Sequence, residues 1–165
     1  MDAYTTGDWQ NLFVAVAGAS AALAGLLFVA VSINLDRILA LGLPSRAIGA
    51  ITMLISVLFV AIFGLVPGQP RGVLAAELLA VGLASWTILA VIKLRRLRGG
   101  DDGQPTYARY LSVVLSQAAS LPFLVAGASL IPRAGGGLYW LVPGIVFALL
   151  VAVLDAWVLL VEILR

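Results

Sequence analysis

The stretch that decides the fold is Leu12–Ile33, LFVAVAGASAALAGLLFVAVSI, in which Ser20 and Ser32 are the only polar side chains. A helix needs roughly 20 apolar residues to cross a hydrocarbon core. This segment is apolar around its whole circumference, not along one period-3.6 stripe, which separates it from the surface helices of a soluble fold. Four further stretches share the pattern: Ala47–Val66 with Thr52 and Ser56, Gly72–Ile92 with Glu77, Tyr110–Ile131, and Leu138–Leu164 with Asp155. With the first carried to about residue 36, the spans predicted are 12–36, 47–66, 72–92, 110–131 and 138–164. The expectation is an all-α, polytopic transmembrane helix bundle of five spans, one domain over residues 1–165.

Composition points the same way. The chain is 62% hydrophobic and 11% charged, where a soluble domain is near half apolar and about a quarter charged. Too little polar surface remains to face water on all sides, so the lipid bilayer is the expected surrounding. The net charge of +2 does not indicate nucleic acid, because the basic residues are sparse and gather at span ends. With no Cys and no His, there is no disulfide framework, and both the commonest metal ligand and the commonest general base are missing.

The connections are short and rich in breakers. Pro67, Gly68 and Pro70 separate spans two and three, and Pro132 with Gly135, Gly136 and Gly137 separates spans four and five. The longest linker, Lys93–Arg109, centres on Gly99, Gly100, Asp101, Asp102 and Gly103. Arg37, Arg46, Lys93, Arg95, Arg96, Arg98, Arg109 and Arg165 fall on one side of the bundle, and only Arg71 and Arg133 on the other. Basic residues are retained in the cytoplasm, so the N-terminus is expected outside and the C-terminus inside a cell membrane. Trp9, Tyr139 and Trp140 then share the outer interface as an aromatic belt. The first span opens on acidic residues and is too long for a signal sequence, so it reads as a retained anchor.

Two constellations stand out. Gly18, Gly25 and Ser32 recur every seven residues, and Ala22 joins them in a helix-packing seam, since small residues let helices approach closely in lipid. Asp155 lies about 10 Å from the cytoplasmic end of the fifth span. Running the other way, the fourth span brings Ser112, Ser116, Ser120 and Gln117 toward it, and Asn34 joins them if the first helix runs on to Leu41. These six residues form the predicted intramembrane polar cluster, with Asp155 bonded to Gln117 or Ser116 and no basic residue at its depth. Glu77 is expected to pair with Arg71, and Pro122 to kink the fourth helix.

Several activities are disfavoured by residue type. No thiol or Ser–His chemistry is available, and no ordinary zinc site. A Ser–Lys pair is not expected, because the only lysine, Lys93, lies at a membrane edge. No phosphate loop of Walker type occurs. No enzyme, cofactor or metal is therefore expected.

The runs GASAALAGLLFVAVSINLDRIL (18–39), GLYWLV (137–142) and DAWVLLVEIL (155–164) resemble a family of small actinobacterial membrane proteins, over most of the chain. Members often carry the label "modulator of FtsH protease", so the resemblance implies a regulatory partner of a membrane protease. It brings no catalytic residues. The reading is a non-enzymatic membrane protein acting through helix–helix contacts, homo-oligomeric or with a membrane protein partner. The alternative is a small oligomeric channel or transporter with a polar path around Asp155 and Gln117.

Overall fold

A computed structural model describes residues 2–98 and 106–164, with no statement on the side chains of 96–98, 106–111 and 162–164. The centre of the long linker, including Asp101 and Asp102, lies outside the described residues, as do the side chains of Arg109 and Glu162. The elements are α1 (Gln10–Ile33), α2 (Leu35–Ala40), α3 (Pro44–Leu65), α4 (Arg71–Arg98), α5 (Thr106–Leu130) and α6 (Leu141–Leu164). Short 3-10 turns at Gly7–Trp9 and Gly137–Trp140 lead into α1 and α6. No strand occurs among the described residues. All helices but α2 are long and apolar enough to cross a membrane, which makes five spans. The protein is an all-helical, multi-pass membrane protein.

Four of the crossing helices close a ring. α4 packs on α5, α5 on α6, α6 on α3, and α3 on α4, while α1 packs almost wholly on the outer flank of α3. Burial follows from that placement: 22% of the apolar window of α1 is buried against 50% of that of α3. The inward stripe of α1 is Phe13, Val16, Ser20 and Leu27, continued by Trp9 of the turn before it. Its spacings of three, four and seven keep one helix face on α3. The ring is filled by Met53, Val57, Leu78, Phe123, Ala126 and Ala148, all fully buried.

Close approach depends on glycines the sequence did not mark. A Cβ on Gly64 would fall inside the ring of Phe13, so α1 seats on α3 through that glycine. A Cβ on Gly82 would lie 2.8 Å from Leu124, and one on Gly127 would lie 2.9 Å from the carbonyl oxygen of Ala75. Those two glycines set the α4–α5 spacing. Gly144 does the same for α6 and α5, its Cβ position 2.8 Å from Phe123 and 3.2 Å from Pro122. α5 continues as one helix through Pro122.

The first helix does not run on to Leu41. It stops at Asn34 (φ −110°, ψ 20°), and α2 follows as a separate element whose Ile38 is buried. Gly42, at φ +68°, ends α2 in the left-handed region. The Gly42 N–H bonds to Leu39 O at 3.2 Å and the Leu43 N–H to Ile38 O at 3.0 Å, a Schellman closure that glycine permits. Pro44 then opens α3 at a first-turn position, where its missing N–H costs nothing.

Alternating crossings place the N-terminus, the 66–70 loop and the 131–137 loop at one end of the bundle. The Leu138 N–H bonds to Ala3 O at 2.8 Å, which fastens the N-terminal segment to the start of α6. Trp9 meets Tyr139 edge to face at 4.9 Å, and the Trp140 indole donates to Gly135 O at 2.7 Å. The three expected belt aromatics therefore share that end. Glu77, however, accepts a hydrogen bond from the Gln69 side chain. Its expected partner Arg71 faces elsewhere.

Candidate functional site

The end of the bundle opposite the N-terminus gathers one polar side chain from each helix of the ring. Arg46 sits in the first turn of α3, and its Nη1 lies 3.5 Å from Oδ1 of Asp155 on α6. The two side chains are 14% and 20% exposed, so the pair is largely withdrawn from its surroundings. Gly49, one turn beyond Arg46, faces the pair: a Cβ there would lie 3.5 Å from Asp155 Oδ2, an ordinary contact. Beside them the Lys93 ammonium of α4 donates to Ser112 Oγ of α5 at 2.7 Å. All four side chains line one cavity of about 140 Å³ with Leu115, Val151, Leu154 and Val158.

This arrangement corrects the sequence reading in three respects. Basic residues do stand at the depth of Asp155. α3 begins at Pro44 and α4 runs to Arg98, so Arg46 and Lys93 are helical residues inside the bundle end and not loop residues beyond it. The expected bond between Asp155 and the middle of α5 is replaced by others. Gln117 Oε1 accepts from the Trp86 indole at 2.7 Å, and Ser116 Oγ donates to its own helix at Val113 O, 2.8 Å. A Ser–Lys contact does form, although it was not expected.

Of the six residues predicted to cluster, Asp155 and Ser112 line the cavity and Gln117, Ser116, Ser120 and Asn34 do not. Ser120 donates to Ser116 O at 2.9 Å, and Asn34 donates to Ala30 O at 2.9 Å. Hydroxyls that bond the carbonyl three or four residues back satisfy themselves within their helix. Ser20, Ser56, Ser85 and Ser129 follow the same pattern. The serine stripe is thus compact packing surface and presents no line of free hydroxyls.

The predicted seam lies on the outward side of α1. Gly18, Ala22, Gly25 and Ser32 are all exposed, opposite the stripe that meets α3. A Cβ at Gly18 or Gly25 would have nothing within 4 Å. Packing of this face within the subunit does not occur. Among the described residues, no group of three or more His, Cys, Asp or Glu is placed to hold a metal ion. No family model, no curated protein and no solved structure matches the chain.

Proposed function

We propose that this protein is a non-enzymatic membrane component that acts through helix–helix contacts, as a structural or regulatory partner, and that α1 is the helix it offers. The observation that carries this reading is the outward face of α1. The helix is held by one neighbour, α3, and turns Gly18, Ala22, Gly25 and Ser32 away from it. Small residues on a lipid-facing surface permit the close backbone approach on which association in a bilayer depends. A second copy of the chain is the first partner proposed. A regulatory contact with another membrane protein, of the kind the family resemblance implies, would use the same face. The basic residues argue for an N-terminus outside and a C-terminus in the cytoplasm.

The channel alternative is weaker, because the buried centre of the ring is apolar from Met53 through Phe123 to Ala148. The test is Gly25→Leu. Nothing stands within 4 Å of that Cβ, so the fold of one subunit tolerates the leucine. Wild type should run as an oligomer in mild detergent and the variant as a smaller species with unchanged melting temperature. A wild-type mass equal to one chain, or an assembly indifferent to Gly25→Leu, rules out self-association through this face.

A further inference from the structure

The end of the bundle that carries the N-terminus holds a second polar pocket, about 380 Å³ in volume and lined by Asp2, Tyr4, Thr5, Arg71 and Arg133. Arg71 and Arg133 are the only basic residues that the chain places at this end of its five spans, and both face this one pocket. Among the described residues neither guanidinium has an ion pair or a side-chain hydrogen bond. The acid nearest in sequence to Arg71, Glu77, is taken by Gln69. Arg133 is also the one described non-glycine residue with positive φ, at 55°. An L-residue adopts that conformation only at a cost, although glycines that adopt it freely stand two to four positions on. That left-handed residue closes α5, with the Ala134 N–H on Ser129 O at 3.3 Å as the Leu43 N–H is on Ile38 O after Gly42, and its side chain lines the pocket.

We propose that this pocket binds the phosphodiester of an anionic lipid headgroup. The planar guanidinium forks match phosphate oxygens two at a time, and two unpaired forks at one cavity can take one phosphate between them. Tyr4 adds a donor: its oxygen receives the Gly136 N–H at 3.4 Å, which leaves its own O–H for the anion. Asp2 stands on the same wall. Its Oδ1 is engaged by the Tyr4 N–H at 3.0 Å, and its negative charge stays on the wall. Two guanidiniums face the one carboxylate of the lining, and Asp8 accepts the Asp2 N–H at 3.3 Å behind it. The Trp9–Tyr139 ring pair and Trp140 stand at the same end and fix its depth at the headgroups, where such aromatics lie.

The test is native mass spectrometry of the full-length protein in neutral detergent, titrated with phosphatidylglycerol or phosphatidylcholine. The first phosphatidylglycerol should bind at least about tenfold more tightly than phosphatidylcholine, and Arg71→Gln and Arg133→Gly should each abolish that preference. Arg133→Gly suits its backbone conformation, so lost binding there is not lost folding. Arg95→Gln, on a lysine- and arginine-rich segment at the far end, should leave the first site unchanged. Water-soluble glycerophosphoglycerol distinguishes the source: failure to displace the lipid identifies the intact lipid as occupant, and displacement at equal concentration identifies the phosphodiester alone. Phosphatidylglycerol binding that survives both Arg71→Gln and Arg133→Gly, or that is lost only in Arg95→Gln, overturns the proposal.

Discussion

Replacing Asp155 by Asn tests the ion-pair cluster most directly, because the amide keeps the volume and removes the charge. At 3.5 Å, and with the effective dielectric of about 20 that describes partly exposed pairs, the direct attraction between Arg46 and Asp155 is about 5 kcal/mol. Desolvation of both groups offsets much of that. Exposed pairs contribute about 0.2–1 kcal/mol, and breaking a fully buried pair costs about 3–5 kcal/mol. At 14% and 20% exposure the pair belongs between those limits, so Asp155→Asn should destabilise by about 1–3 kcal/mol. Asp155→Leu should cost more, since it also leaves the Arg46 donors without an acceptor. Reversible unfolding in mixed micelles would measure both, together with Arg46→Met and the double variant. A coupling energy of about 1–2 kcal/mol is expected from the cycle. Had Asp155 bonded Gln117, the amide substitution would be nearly silent and Gln117→Leu would match Asp155→Leu. Single-variant costs that add to within about 0.5 kcal/mol would refute the pairing.

Three further outcomes are expected. Gly127→Ala and Gly82→Ala should each destabilise by about 1–3 kcal/mol through overpacking at the α4–α5 contact, read as a lowered melting temperature, whereas Gly18→Ala should leave it unchanged because that position is open. Arg133→Gly should raise stability by up to about 1 kcal/mol in lipid-free detergent by removing a left-handed arginine; a fall would show that the side chain contributes more to the fold than its backbone conformation costs. In intact cells an impermeant thiol reagent should label Thr5→Cys and not Leu41→Cys, since the two positions lie at opposite ends of the bundle, and the reverse pattern would invert the orientation.

The number and order of the spans were legible because lipid imposes a one-dimensional rule: enough consecutive apolar residues, read one segment at a time. What lay outside that rule was lost. The sequence offered Gly18, Gly25 and Ser32, which repeat every seven residues with Ala22 beside them, as the tight seam, yet Gly64, Gly82, Gly127 and Gly144 make the close approaches. None of those four has another glycine seven residues away in its own helix, and each is required by one large neighbour, Phe13, Leu124, Leu79 or Phe123. Such a match of glycine on one helix to bulk on another is a pairwise property. No periodicity within one segment reveals it.

The polar cluster was half legible for a related reason. Asp155 announces itself, because a carboxylate within an apolar span needs a partner. The partner was sought among the serines and Gln117 on the neighbouring span, on the assumption that arginine and lysine mark where a helix leaves the membrane. That assumption serves topology and misleads at the site, since the helices continue past the hydrophobic limit. α3 takes in Pro44–Arg46 and α4 reaches Arg98, so Arg46 becomes a first-turn residue and Lys93 lies more than a turn inside its helix. Their long stems then reach inward, where Arg46 reaches Asp155 and Lys93 reaches Ser112. One signal in the sequence was available: Gly49 stands one turn after Arg46, on the same helix face. Asp155 Oδ2 is the group that lies against that position. Two of the charges counted for orientation, Arg46 and Lys93, are therefore also ones that tie helices together. An attempt to invert the topology by neutralising Arg46 should for that reason lose stability before it changes orientation.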